Sequence, residues 1–258
     1  MRRRLAVAVV VLACAVTASR PRAVESLESD RVPVLVELFT AEGCSSCPPA
    51  DMVLQKLIES QPADGAEIIG LGEHVDYWDR LGWRDRFSSA SLTARQQEYA
   101  DRFGAKDIYT PQTVVDGQSA SIGSDVPALR RAIEDAVKRP HGALTIACET
   151  SGKTAKVAVT IDRLPPTSQG DRAEVVVAVT ENNLRTEVKR GENQGRTLTH
   201  AAVVHKLTAS GDAKVGAPVS ASFSIDSAWQ REHVRIVAFV QEKTSRRVIA
   251  TASVPLQN

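Results

Sequence analysis

Apolar positions along the chain change texture near residue 141. Before it, apolar runs alternate with helically spaced stripes. Val34-Leu35-Val36-Glu37-Leu38-Phe39 reads as a buried strand. A helix is expected to start around Ser46 to Pro49, because proline is tolerated where backbone N–H groups have no partner, and its stripe is Val53, Leu54, Leu57 and Ile58. Pro62 and Gly65 close it, and Glu67 to Val75 is the next buried strand. Residues 76 to 87 mix charges with Tyr77, Trp78 and Trp83 without periodicity, which predicts a loop. Leu92, Tyr99 and Phe103 share one face of a second helix, ended by Gly104. Thr110-Pro111 then leads through a constrained peptide bond into a β-branched run left by an Asp116-Gly117 hairpin, with Ser119 to Ile122 as partner strand. Ser124 or Asp125 caps a third helix, with Val126, Leu129, Ile133 and Val137 on one face.

Past Arg139-Pro140-His141-Gly142 the pattern becomes short strands punctuated by Gly, Pro, Asn and Ser. They are Leu144–Cys148, Lys156–Ile161, Glu174–Thr180, Thr197–Leu207, Ala221–Ile225, Val234–Gln241 and Val248–Val254. Such spacing predicts an antiparallel, sandwich-like domain. The expected organisation is a signal peptide at 1–23, a lead-in at 24–31, an α/β domain at 32–140 and a β-rich domain at 142–258.

At 258 residues, with 43% hydrophobic and 24% charged positions, the chain is long enough for one large core or two modest ones. Its net charge of +1 gives no electrostatic basis for binding nucleic acid. Arg2, Arg3 and Arg4 precede an apolar run from Leu5 to Val16, a signal-peptide pattern with small residues at Ala18 and Ala23 for cleavage. Val11-Leu12-Ala13-Cys14 also has the form of a lipoprotein box, which makes Cys14 a minority candidate for a lipid anchor. No segment is continuous enough to be a stable membrane span. The expected location is outside the cytoplasm, periplasmic or secreted.

The chemistry is concentrated in Gly43-Cys44-Ser45-Ser46-Cys47-Pro48-Pro49-Ala50-Asp51, between the first strand and first helix. Two cysteines in this setting form a redox arrangement, because a helix start offers unpaired N–H groups and the positive end of its dipole to the first thiol. A thiol of pKa ~8.5 is only about 3% ionised at pH 7, whereas one lowered to ~7 is about half ionised. Cys44 would attack a disulfide, and Cys47, one turn later, would resolve the mixed disulfide. This requires the Cys44 sulfur to be accessible. An inert Cys44–Cys47 disulfide and half of a metal site remain open as alternatives. Cys148 alternates with Leu144 and Ile146 and is expected as a buried free thiol.

Strand, Cys-X-X-Cys at a helix start, strand, helix, Thr-Pro before a strand, hairpin, helix: this order resembles the thioredoxin fold. That resemblance implies that Pro111 is a cis-proline facing the dithiol and that Thr110 presents backbone to a substrate. Leu38-Phe39-Thr40 with Gly43 to Asp51, His74-Val75-Asp76-Tyr77-Trp78-Asp79, Leu81-Gly82-Trp83, Tyr109 to Gln112, Val114 to Gly117 and Arg190-Gly191-Glu192-Asn193 with Gly195 to Leu198 are similar to an exported thioredoxin-like family known as domain of unknown function 1223. Gly43 stands where thioredoxins usually carry tryptophan, and Ser45-Ser46 replaces Gly-Pro. Those hydroxyls can hydrogen-bond Cys44 but bring no positive charge.

His74 and Asp76 end the second strand and are candidates for a proton shuttle to Cys47, against a plain backbone-bonded role. Trp78, with Tyr77 and Trp83, is either an apolar lip for a substrate or packing for the long loop. Residues 190 to 196 read as a polar hairpin tip, with an anionic-ligand or inter-domain role as the alternative. His141, His200, His205 and His233 show no ligand spacing and are expected as surface or satisfied core residues. No cofactor is implied. The leading expectation is a thiol–disulfide oxidoreductase acting on an exported polypeptide substrate or a redox partner protein. A non-catalytic binding module with a structural disulfide and a copper-binding carrier are the alternatives.

Overall fold

The computed structural model describes residues 31–63 and 65–256. The candidate signal peptide with Cys14, and the lead-in up to residue 30, lie outside the described residues. The first half runs β1 (Val32–Thr40), α1 (Pro48–Ser60), β2 (Ala66–His74), a 3₁₀ turn at Asp79–Leu81, α2 (Ala90–Phe103), β3 (Gln112–Val115), β4 (Ser119–Ile122) and α3 (Val126–Val137). Local chemistry sets these boundaries. The Ser89 hydroxyl accepts the Ser91 N–H at the start of α2, and Gly104 ends it in the left-handed region at φ 66°. Asp125 accepts the Ala128 N–H at the start of α3. Asp116 and Gly117 both have positive φ, 45° and 65°, as a tight two-residue hairpin requires.

The second half is β5 (Ala143–Ser151), β6 (Thr154–Arg163), β7 (Ala173–Glu181), β8 (Leu184–Glu187), β9 (Thr197–His200), β10 (Val203–Asp212), β11 (Val219–Ser224), a 3₁₀ turn at Arg231–His233, β12 (Val234–Glu242) and β13 (Val248–Pro255). Two features differ from the sequence expectation. β8 is a four-residue strand with Arg185 and Glu187 exposed, too short and polar to stand out from loop. The expected strand 197–207 is broken after His200, where Ala202 takes a positive φ of 50°, accepts the Gly72 N–H and donates to Asn182 Oδ1.

One open eight-stranded sheet, in the order β13-β12-β7-β10-β2-β1-β3-β4, crosses the expected boundary near residue 141. β1 and β2 are parallel, and β3 is antiparallel to β1. The β-rich half therefore adds four strands to the α/β sheet, and only β11-β6-β5 forms a second layer. That layer packs on the face carrying Val175, Val177, Val179, Ile236 and Ala238. The opposite face, through Val176, Ala178, Val237 and Phe239, is continuous with Leu35, Leu71 and Leu92. α1 and α3 cover the far side of β1 around Val34, Val36, Leu54 and Ile133.

The halves meet where Val203 of β10 pairs in parallel with Gly72 of β2. A Cβ on Gly72 would lie 2.7 Å from the Ala201 carbonyl oxygen, so only glycine allows this approach. A polar contact also joins them: Arg95 of α2, 5% exposed, bonds Glu37 on β1 and Gln241 on β12. Gly72→Ala is expected to lower stability by about 1–3 kcal/mol, because rigid backbone stands in the way. Urea unfolding of the two proteins checks this, and an unchanged midpoint would show that the strand junction yields freely.

Candidate functional site

The turn after β1 brings Cys44 and Cys47 together as a disulfide with a Cα–Cα distance of 5.4 Å, immediately before α1. The expected array of unpaired N–H groups is reduced here. Pro48 and Pro49 carry none, and the Ala50 and Asp51 N–H groups donate to the Cys47 carbonyl at 2.8 and 3.1 Å. The expected hydroxyl contact is present, with Ser46 Oγ 3.4 Å from Cys44 Sγ.

Both cysteines have 0% exposure, which overturns the expectation of an accessible sulfur. Phe39, Ala41, Val75, Tyr99 and Val114 pack around the pair. The segment joining β8 to β9 reaches over the motif: Asn193 Nδ2 donates to the Glu42 and Cys44 carbonyls, both at 2.9 Å, and the Ser45 N–H donates to Glu192 Oε2 at 3.1 Å. Arg196 donates to Asn193 Oδ1, which orients the amide nitrogen toward the motif. The tip expected from residues 190–196 is thus a contact between the two halves. Trp78 packs its Cβ toward Gly43 and donates its indole N–H to Thr110 Oγ1 at 2.8 Å. The Thr110–Pro111 bond is cis, and Gly123 sits between Pro111 and Ala50 so closely that an added Cβ would lie 3.1 and 2.9 Å from them. Trp83 donates to Glu42 Oε2 at 2.7 Å, and its Cβ lies against Gly191. The aromatic loop is therefore packed onto the motif.

Next to the motif lies a buried ionisable cluster: Glu42, Asp51, His74, Asp85 and His200, each at most 7% exposed. Asp85 Oδ2 lies 2.6 Å from His74 Nδ1 and accepts the Glu42 N–H at 2.9 Å. Glu42 Oε1 is 3.4 Å from His200 Nε2 without forming a hydrogen bond, and neither ring nitrogen of His200 is hydrogen-bonded. The two imidazoles pack edge-to-face at 5.0 Å, with Phe87 against both. Burial opposes charge on His74, yet the charge and hydrogen bond of Asp85 outweigh it and raise its pKa. Burial raises Asp85, but His74 and the Glu42 and Phe87 N–H groups bring it below its ordinary value. Asp51 is pushed up by burial, against the opposing charges of His200 and His74.

Other sequence candidates lie elsewhere. Asp76 bonds Thr93, and Asp85, eleven residues beyond His74, is the partner sequence reading missed. His200 was expected to be satisfied or exposed, and it is neither. Asp51 is the missed residue with a sequence signal, since it follows Cys47 by four and so shares its helix face. Cys148 is free but only half-buried, and burial raises its thiol pKa. Among the described residues no group of three or more His, Cys, Asp or Glu is arranged to hold a metal.

The profile of a family described as "Protein of unknown function (DUF1223)" matches residues 35–241. No curated protein matches the chain. A structural-genomics crystal structure of a protein from Agrobacterium tumefaciens is similar, with a TM-score of 0.64 and 24% identity over 88% of this chain and 96% of that one. A domain of the outer membrane lipoprotein Omp28 from Porphyromonas gingivalis aligns with a TM-score of 0.32 and 15% identity, over 45% of this chain and 95% of that one.

The His74–Asp85 pair makes stability depend on pH at both ends. Asp85 has a depressed folded pKa, so its contribution is full above the ordinary carboxylate pKa and is lost as pH falls through the folded value. His74 has a raised folded pKa, so its contribution is full below the ordinary imidazole pKa and is lost as pH rises through the folded value. Urea midpoints measured against pH should fall at both ends and flatten in Asp85→Asn; an unchanged profile in that variant would remove the pair's role.

Proposed function

The chain belongs to the DUF1223 family, and on that footing we propose that it is an exported thiol–disulfide oxidoreductase of the thioredoxin type. The observation that carries this reading is the Cys44–Cys47 disulfide in the turn between β1 and α1. Support comes from the β4-β3-β1-β2 order with β1 and β2 parallel, and from the cis Thr110–Pro111 bond reached from Cys44 through Gly43 and Trp78. Cys44 and Cys47 carry the electrons, so no cofactor is required. In the reducing direction the Cys44 thiolate attacks a substrate disulfide, forming the mixed disulfide and releasing one substrate thiolate. Cys47 then attacks Cys44, releasing the second thiolate and restoring the observed disulfide. Thr110 and Pro111 orient the substrate backbone beside Trp78, and His74 serves the proton transfers through the cluster it shares with Asp85.

Export is supported by the arginine-led apolar leader and by the oxidised pair, which suits an oxidising compartment. No helix of the described residues is long and apolar enough to cross a membrane. The partner on this reading is an exported polypeptide or redox protein. A second reading is favoured by the zero exposure of both cysteines: the disulfide is a structural clasp, and the molecule is a binding module.

Insulin reduction with excess dithiothreitol separates the two readings. The exchange reading expects catalysis that Cys44→Ser abolishes, and a trapped mixed disulfide in Cys47→Ser. A native protein inert toward insulin, with its disulfide intact after prolonged reductant, would establish the clasp.

A further inference from the structure

We propose that the tip joining β8 and β9 stands in, from within the chain, for an extended polypeptide partner, and that the partner reaches Cys44 by displacing it. The inference rests on the exchange reading and names its partner and its access step. A thiolate must come within bonding distance of Sγ, and the closed structure leaves none of either cysteine exposed. What covers the motif on this side is a polar tip, not core. β8 and β9 form a two-stranded sheet of their own. Glu192, Gln194, Gly195 and Arg196 are exposed, while the base is anchored by Leu184, Val188 and Leu198.

The identity of the atoms held by the tip points to the class of partner. Its three hydrogen bonds go to main-chain groups: the Glu42 carbonyl, the Cys44 carbonyl and the Ser45 N–H. Lifting the tip leaves the Glu42 carbonyl and the Ser45 N–H unpaired beside the disulfide, and the Cys44 carbonyl with only the Cys47 N–H at 3.2 Å. An extended chain supplies both donors and acceptors from its own backbone, whatever its sequence. A small thiol does not. Ser45 and Ser46 are already exposed and form the rim of the opening. Gly191 and Gly195, at φ 77° and 82°, give the tip a backbone shape that side-chain-bearing residues resist.

With the tip displaced, one thiolate of a dithiol polypeptide attacks Cys44 Sγ. A partner–Cys44 bond forms, the Cys44–Cys47 bond breaks, and the electron pair leaves on Cys47 Sγ, which takes up a proton. The partner's second thiolate then attacks its own sulfur in the mixed disulfide, releasing Cys44 as a thiolate that is protonated in turn. The partner's two thiols end as a disulfide and the Cys44–Cys47 pair ends reduced.

The test follows reduction of the native, oxidised protein by excess dithiothreitol, quenched by alkylation and counted by mass, alongside guanidinium unfolding. Asn193→Ala removes two hydrogen bonds from the closed state and should speed reduction about tenfold, with reduction in both proteins insensitive to guanidinium below the unfolding transition, as a local opening requires. Glu192→Gln, which keeps shape but weakens one contact, should give a smaller acceleration. Equal rates in wild type and both variants would overturn the proposal, as would a reduction rate that climbs with guanidinium as steeply as global unfolding does. Reduced insulin B chain serves as the polypeptide probe, and Asn193→Ala should react with its thiols faster than wild type. A gain with dithiothreitol but not with the B chain would overturn the polypeptide partner. Complete inactivity of wild type and variants toward the B chain, with the tip effect on dithiothreitol intact, would fail the exchange reading itself.

Discussion

A guanidinium without access to water has to be neutralised by groups buried as deeply as itself, and Arg95 meets that demand within the α/β half while a neutral amide of the β-rich half, Gln241, hydrogen-bonds it. Burial opposes its charge, but the Glu37 carboxylate, in direct contact, more than offsets this and holds the pKa far above its ordinary value. Glu73 lies 3.4 Å away, and burial together with the neighbouring Glu37 charge pushes its carboxyl well up. Tyr99 and Gln241 brace the Arg95–Glu37 pair. Breaking a buried pair by removing one partner costs about 3–5 kcal/mol, because the survivor stays charged in a dry interior. Gln241 of β12 accepts from Arg95 and donates to the Tyr99 hydroxyl, so drift between the α/β strands and the β-rich ones would strip hydrogen bonds from this buried network, with about 1.5–3 kcal/mol for the one to the guanidinium.

A fixed frame decides where the connection from β7 to β10 can go. β7 and β10 are neighbours in the sheet, and β10 meets β2 at Gly72, two residues before His74. The excursion between them, β8 and β9, therefore leaves and re-enters the sheet at the end of β2 that also carries the cysteine motif. Its tip delivers Asn193 to the Cys44 carbonyl, and its last residue, His200, enters the cluster with Glu42 and His74. Both contacts follow from one topological fact, the insertion of β10 beside β2.

Much of the first half was legible because its signals are local. Pro48 marks the helix start, Asp116-Gly117 demands a hairpin, and Gly104 and Asp125 end and begin helices through their own backbone chemistry. The cysteine motif stood out for the same reason. What escaped was set by pairing at long range. Nothing near residue 72 in the sequence announces that β10 will dock there, so strands that join one continuous sheet read as a sheet of their own. Asp85 replaced Asp76 beside His74 because the loop folds back, an event without periodicity. Asn193 became part of the site through main-chain carbonyls 149 and 151 residues away, which no spacing rule can find.

Whether a buried disulfide is a clasp or a reactive pair depends on the least costly route by which its sulfur meets solvent. One side of this pair is packed by Phe39, Val75, Tyr99 and Val114, and exposing such side chains costs about 1.5–3 kcal/mol each. The other side is closed by three hydrogen bonds from a polar tip, of which the two buried ones from Asn193 are worth about 1 kcal/mol each net. Opening on that side spares the Arg95 network and both sheets, so it is a local event with a free energy below that of unfolding. The same arrangement that hides the sulfur therefore selects the direction from which it can be reached.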